Sequence, residues 1–284
     1  MKFSETDLIL NPDGSVFHIH LTPEMVADKI ILVGDPDRVP RVSRHFSKID
    51  VKISSREFIT HTGLFEGKRI TVISTGIGTD NVEIVLTELD ALANIDLKKR
   101  EPRKKKKSLN LVRVGTSGSL RKEIEIGSHL YSHTAIGLDE LISFYSFKSS
   151  IRDHQLCSAL QAHTGLGAKP YLSRCAQVLV KTMAYDMIPG NTVTCPGFYA
   201  PQGRRLRVTT RFPKLLRDLG SFEYDSYQLT NFEMETAAIY ALAGLYGHHA
   251  MSLNAIIAGR AVGKFASNPQ QIVDDLIIKA LERI

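Results

Sequence analysis

A chain of 284 residues with 43% apolar and 23% charged content has room for a substantial core, as one large α/β domain or two small ones, and falls outside the disordered and low-complexity classes. The net charge of +6 hints at nucleic acid, but residues 98–107 alone hold eight basic residues and Glu101, a net of +7, so the remainder sums to −1 and no nucleic-acid partner is expected. Cys157, Cys175 and Cys195 are odd in number and lack a C-x-x-C pattern, residues 1–7 carry no apolar leader core, and the apolar run near 237–245 is too short to span a bilayer; free thiols and a cytoplasmic location are expected.

Taken in order, Ser15-Val16-Phe17-His18-Ile19-His20-Leu21-Thr22 alternates loosely and reads as an arm on the body, its histidines without a local metal partner. Residues 29–33 read as a buried strand ending in Gly34-Asp35-Pro36-Asp37-Arg38, before a helix over 39–46. A glycine at a strand's carboxyl end, a helix start and an arginine gather N–H groups and a guanidinium at one point, an anion corner that an ordinary Asp-Pro turn imitates equally well. A strand over 69–74 closes in Thr75-Gly76-Ile77-Gly78. The next helix has Asp80 as expected N-cap with Glu83 three residues on, and a stripe of Val82, Val85, Leu86, Leu89, Leu92 and Ala93. The basic run, interrupted by Pro102, reads as a solvated, mobile loop.

Leu111-Val112-Arg113-Val114-Gly115-Thr116-Ser117-Gly118-Ser119 is an apolar strand carrying one cation into an expected turn of glycines and hydroxyls. An arginine there requires an anion, met either by a phosphate or by an ordinary buried carboxylate. A short strand near 128–132 follows; the region 139–179 is the least informative, with a helix over 153–162 and a strand over 176–180 expected. A strand from 192 leads into Pro196-Gly197-Phe198-Tyr199-Ala200-Pro201-Gln202-Gly203-Arg204-Arg205, whose ring, carboxamide and guanidiniums suit a heterocycle with carbonyl edges, or else form a flexible basic surface loop. Asn231-Phe232-Glu233-Met234-Glu235-Thr236 opens a helix to about 245; its acids are either helix-start chemistry or a carboxylate for a sugar diol, with Met234 as an apolar floor. A last strand over 252–258 ends in Gly259-Arg260, and Asn268 with Pro269 at N1 starts a C-terminal helix bearing Ile272, Val273, Leu276, Ile277, Ala280 and Leu281 at helical spacing. The alternation predicts a three-layer α/β/α fold with a mixed, mostly parallel sheet and ligands at the strands' carboxyl ends. With no repeat or linker, a single domain over 1–284 with a basic insertion at about 98–107 is expected.

These segments, in this order, resemble the nucleoside phosphorylase family, and within it the enzymes that act on uridine: Val16-Phe17-His18, Gly34-Asp35-Pro36-Asp37-Arg38, Ser55-Arg56-Glu57-Phe58, Ser74-Thr75-Gly76-Ile77-Gly78, Arg113-Val114-Gly115-Thr116, Phe198 with Gln202 and Arg204, and Glu233-Met234-Glu235. The resemblance implies reversible phosphorolysis of uridine to uracil and ribose 1-phosphate. It puts phosphate at Gly34, Arg38, Arg113 and Thr116 with Arg56 from a neighbouring subunit. Ribose falls to Glu235, Met234 and a neighbour's His18, and uracil to Phe198, Gln202 and Arg204, with Arg260 as a further base-side arginine. Gln202, Arg204 and Arg260 become the catalytic groups, phosphate the co-substrate, and the assembly a dimer or a hexamer of dimers. Some relatives also hold a monovalent cation, such as K+, between subunits near Glu57, Ile77 and Asn81, where serine is frequent in place of Asn81. The rivals are a purine phosphorylase or a nucleosidase of the same fold, or a non-catalytic nucleoside- or nucleic-acid-binding relative. A purine enzyme is expected to offer a carboxylic acid after the last strand, which Ile257-Ala258-Gly259-Arg260 lacks, and a nucleosidase has little need of arginines at 38, 56 and 113.

Overall fold

The computed structural model describes residues 2–284. In chain order the strands are β1 Lys29–Val33, β2 Lys48–Ser55, β3 Phe58–Phe65, β4 Lys68–Ser74, β5 Ile95–Asp96, β6 Glu101–Pro102, β7 Asn110–Ser119, β8 His129–Gly137, β9 Tyr171–Arg174, β10 Ile188–Thr194, β11 Glu223–Tyr224, β12 Tyr227–Gln228, β13 Asn231–Glu233, β14 His249–Gly259 and β15 Lys264–Phe265. The helices are α1 Arg38–Ser43, α2 Thr79–Asn94, α3 Ile151–Thr164, α4 Gln177–Met183, α5 Leu215–Ser221, α6 Thr236–Tyr246 and α7 Pro269–Arg283.

Eleven strands make one mixed sheet, as expected, with antiparallel pairing taking a larger share than the strand–helix alternation suggested. β7 organises it. On one edge β14 runs parallel to it from Asn110↔His249 to Ser119↔Gly259. On the other edge β1 pairs with its first part, up to Leu32↔Arg113, and β13 pairs antiparallel with its last part, at Phe232↔Gly118 and Asn231↔Ser119. Residues 114–117 therefore have no strand beside them on that edge, and the sheet opens there into a crevice. The pairings β7–β14–β8–β10–β13–β7 also close into a ring, so the crevice is walled by a barrel-like turn of the sheet.

α6 packs on β8, β9, β10 and β14 and against α2, while α7 packs on β7 and β14 beside α4. The main core unites Ile30, Leu32, Val72, Val112 and Leu253 with Val82, Leu86, Ala241, Leu276 and Ile277. α7 begins as expected: the Asn268 side chain accepts the Gln271 N–H at 3.3 Å, and Pro269 opens the helix. The arm before β1 lies on the body with Val16, Ile19 and Leu21 buried.

Several expectations need correction. The helix after Arg38 stops at Ser43 rather than Phe46. There is no Asp80–Glu83 capping box, because α2 starts two residues earlier than an Asp80 cap requires, at Thr79, and its N-cap is Gly78 at φ +95, a conformation strained for any side chain. Asp80 sits inside the first turn, where its charge still suits the helix dipole. No turn follows Arg113, since the ladder with β14 carries the strand through Gly115 and Gly118 to Ser119. The strand near 128–132 extends to Gly137, and the helix over 153–162 spans Ile151–Thr164 with Ser150 as cap. Residues 176–180 are not a strand but the start of α4, and Asn231–Glu233 is not helix but β13, wedged between β10 and β7. Nor is the basic run a free loop. β5 and β6 pair at its start, Arg103 N–H donates to Asn94 O at 2.8 Å and Lys107 N–H to Asn94 Oδ1 at 2.7 Å.

Candidate active site

The crevice beside residues 114–117 is a cavity of about 290 Å3, a volume at the small end of those that hold small ligands. Ten of the residues singled out from the sequence line it: Gly34, Arg38, Ile77, Arg113, Thr116, Phe198, Gln202, Arg204, Met234 and Glu235. They come from separate stretches of the chain: Arg113 and Thr116 from the middle of β7, the others from the segments that follow β1, β4, β10 and β13.

At one end stand two guanidiniums. Arg38 rises from the start of α1, donates from Nη1 to Val114 O at 3.2 Å on the open edge of β7, and leaves its buried Nε without a partner. Burial, then the charge of Arg113, push its pKa down to about 10, so the position is short of negative charge. Arg113 is 5% exposed. Its Nη2 lies 2.6 Å from Glu235 Oε2 and 3.1 Å from Glu233 Oε2, and its Nη1 donates to Asn254 Oδ1 at 3.1 Å and Ser252 Oγ at 3.3 Å. Burial opposes its charge, yet the two carboxylates outweigh that and hold its pKa above the ordinary arginine value. The buried ion pair weighed from sequence is thus real. It does not exhaust the side chain, because Nε has no partner. The strand can accommodate the fold-back of Arg113 only because residue 115 is glycine: a Cβ there would stand 1.9 Å from Nη1.

The two acids of Glu233-Met234-Glu235 are held differently. Glu233 accepts the N–H groups of Glu235 and Thr236 at 2.9 and 3.0 Å and the Thr194 hydroxyl at 2.7 Å, which is helix-start chemistry for α6. Burial raises its pKa, and the neighbouring carboxylate of Glu235 adds to that. Glu235, 5% exposed, faces the cavity and accepts the Gly78 N–H on Oε1 at 2.9 Å, so α2 and α6 both start at this carboxylate.

The opposite end is built by the loop after β10. Gln202 is 3% exposed; its Oε1 accepts from Arg204 Nη1 at 2.6 Å, and the same nitrogen donates to Phe198 O at 2.6 Å. Arg204 Cζ lies 3.6 Å from the Phe198 ring centroid. Gly203, at φ +67, makes the reversal that puts Gln202 and Arg204 on one side. Burial and the charge of Arg260 lower the pKa of Arg204 to about 10. The alternative of a loose basic loop does not describe this arrangement.

Other expected residues lie elsewhere. Arg260 stands behind the wall, 5.2 Å over the Phe232 ring with its buried Nη1 unpartnered. His18 and Arg56 are in a separate cluster: His18 Nδ1 is 2.6 Å from Glu88 Oε1, Ser55 Oγ donates to His18 O at 2.7 Å, and Arg56 lies 5.5 Å over Phe17. Arg56 holds φ +56 in the two-residue turn between β2 and β3, a conformation that a bulky residue adopts rarely. Glu57 and Asn81 both flank Gly76, and Ile77 is 69% exposed at the cavity mouth. Among the described residues no group of three or more His, Cys, Asp and Glu is placed to hold a metal, and no helix is long and apolar enough to cross a membrane.

Sequence reasoning missed Gly78, Thr194, Ser252 and Asn254. The last two did leave a signal, since Ser252-Leu253-Asn254 puts polar side chains two apart on one face of an apolar strand, in register with Arg113 and Gly115.

Known proteins share this architecture. The uridine phosphorylase of Thermococcus kodakarensis is 30% identical over 267 residues, 93% of this chain and 84% of that protein. The DeoD-type purine nucleoside phosphorylase of Geobacillus stearothermophilus is 25% identical over 272 residues, 93% and 97% of the two chains. A crystal structure of a Trypanosoma brucei nucleoside phosphorylase, reported to show uridine phosphorylase activity, superposes with a TM-score of 0.87 at 28% identity, covering 98% of this chain and 100% of that one. A family model described as the phosphorylase superfamily matches residues 28–283, which include every residue lining the cavity, and the chain belongs to that superfamily.

Proposed function

We propose that the protein is a uridine phosphorylase, a pentosyltransferase that reversibly converts uridine and phosphate into uracil and ribose 1-phosphate. The observation that carries the reading is one cavity lined by two arginines, Arg38 and Arg113, whose buried Nε groups have no partner, by a carboxamide–guanidinium pair, Gln202 and Arg204, and by Glu235 and Met234.

Phosphate is the co-substrate, held by Arg38, Arg113, Thr116 and the backbone at Gly34; the unpartnered Nε groups of both arginines supply donors that nothing else in the protein uses. Glu235 takes the ribose 2′ and 3′ hydroxyls and fixes C1′ above the phosphate. As the N1–C1′ bond lengthens, its electron pair leaves with the uracil, and the sugar becomes oxocarbenium-like. A phosphate oxygen then forms the new bond to C1′ from below. Gln202 and Arg204 are already oriented on each other and on Phe198, so they stabilise the charge growing on the uracil oxygens without reorganising. Arg260, one layer back, adds positive potential through Phe232.

His18 and Arg56 act on a neighbouring subunit's substrate in a dimer or a hexamer of dimers, a reading supported by their position together on a face apart from this chain's own cavity. A monovalent cation at such an interface would draw on the Glu57 carboxylate and the Asn81 carboxamide, whose side chains both stand close to Gly76, with a second subunit completing the set.

The test is uracil release from uridine with and without phosphate, with inosine in parallel. Phosphate-dependent release from uridine is expected. Equal release without phosphate would make the protein a nucleosidase, and cleavage of inosine alone would make it a purine enzyme.

A further inference from the structure

A second cavity, of about 480 Å3, lies between the segment before β1, the last turns of α2 and the basic run, and shares no lining residue with the first. Its walls are aliphatic, from Pro23, Val26, Leu89 and Leu92, while Arg103, Lys105, Lys106 and Lys107 stand at its rim.

Part of this basic rim has an ordinary structural purpose. Lys107 pairs with Asp28, and Lys106 Nζ donates at 3.4 Å to Asn94 O at the end of α2, where a cation suits the helix dipole. That leaves Arg103 and Lys105, whose side chains make no hydrogen bond or ion pair among the described residues; nor does Lys106 meet a carboxylate. A run of like charges ordinarily spreads into solvent, but this one is tied down. Asn94, 2% exposed, accepts Lys107 N–H on its side chain, donates from Nδ2 to Lys107 O at 3.1 Å and to Asp90 Oδ1 at 2.6 Å, and takes Arg103 N–H on its carbonyl. The start of the run is fixed by Arg100, which donates to Leu8 O and Ser4 O, and by Phe3 N–H on Arg100 O. Apart from Asp28, which meets Lys107, the run is therefore held over an apolar hollow with no carboxylate against Arg103, Lys105 or Lys106.

We propose that this cavity binds a nucleoside di- or triphosphate, with its ring between the aliphatic walls and its phosphates on Arg103, Lys105 and Lys106. The volume lies within the range of small-molecule sites. Three cations free of carboxylates match a polyphosphate rather than a single carboxylate, and guanidinium with ammonium is the usual pairing for phosphate oxygens. The apolar walls set the ligand apart from a bare polyanion, for which they would be wasted surface.

Calorimetric titration of the full chain with ADP and ATP, in saturating inorganic phosphate to fill the first cavity, tests the proposal without reference to turnover. One equivalent should bind per chain, at least tenfold more weakly after R103E with K105E and after Ala93→Phe, which puts a ring into the hollow. Inorganic tripolyphosphate should bind at least tenfold more weakly than ATP. An unchanged melting temperature of the charge-reversed variant shows that it is folded. The proposal is overturned by no saturable nucleotide binding, by binding indifferent to the charge reversals, or by tripolyphosphate binding as well as ATP. It is overturned too by a single-stranded RNA that binds the run, with steep salt dependence, where mononucleotides do not.

Discussion

Arg38 and Arg113 line the same cavity but are held there by different means, and the difference separates binding from folding. Arg113 is fixed by two buried carboxylates, an amide and a hydroxyl; Arg38 has one carbonyl and a like charge beside it. Arg38→Ala should therefore leave the melting temperature unchanged or higher while kcat/KM for phosphate falls by about 2–5 kcal/mol in transition-state terms. Arg113→Ala should lose a similar amount of activity and also destabilise the fold by about 3–5 kcal/mol, because Glu233 and Glu235 are left buried without a cation. An Arg113→Ala protein that melts like the parent would show that the carboxylates do not depend on it. At the other end, Arg204→Ala should lower kcat by roughly 10²–10³-fold with the phosphate KM little changed, as for any donor aimed at charge that appears only in the transition state; a loss confined to the KM for uridine would reduce Arg204 to a binding group. These residues were visible in the sequence because each violates its surroundings, such as a cation among Leu and Val, or a carboxamide in a Pro/Gly loop. Ser252 and Asn254 were not, since single small polar residues inside a strand are common and acquire meaning only from Arg113 on the next strand.

At the level of elements, the readable ones were those whose local chemistry agrees with their packing. α7 has its cap, its N1 proline and one apolar face; β1 is a run of apolar residues bounded by Gly34. The misread ones are governed by contacts far away in sequence. α4 contains Val178, Leu179 and Val180, which favour a strand, yet Leu179 and Met183, four apart, are the buried pair and Val178 is 61% exposed. β13 is three residues long, too short for any periodicity, and α6 is buried on nearly all sides, so neither shows an amphipathic signal at their junction. α3 offers a test of how such a helix is docked: Arg174 of β9 donates from Nη1 to Asp153 Oδ2 at 2.9 Å and from Nη2 to Asp153 Oδ1, and that pairing holds the carboxyl below its ordinary value of 3.8. A carboxyl with a lowered folded-state pKa stabilises the fold above its unfolded value and stops doing so as the pH falls through the folded one. Asp153→Asn should accordingly reduce stability by roughly 1 kcal/mol at pH 7, a modest amount because Arg174 is half exposed, and the gap between variant and parent should close below the ordinary aspartate range. Denaturant midpoints from pH 7 to pH 3 measure it; a gap that stays constant would mean that the ion pair is not what holds α3.

For the whole molecule, the cavity around Arg113 is incomplete if His18 and Arg56 belong to it, because their cluster with Phe17, Ser55 and Glu88 lies apart from it in the same chain. The arrangement makes sense if two copies face each other about a twofold axis, each lending this cluster to the other's cavity. Mixing two inactive variants decides the matter. In a dimer formed from Arg38→Ala and Arg56→Ala chains, one cavity carries both substitutions and the other carries neither. Random exchange of subunits makes half the dimers mixed, so the mixture should recover about a quarter of the parent activity after co-refolding, and none before exchange. If both arginines act within one chain, every cavity in the mixture keeps a defect, and activity should stay at the level of the separate variants however the subunits are shuffled.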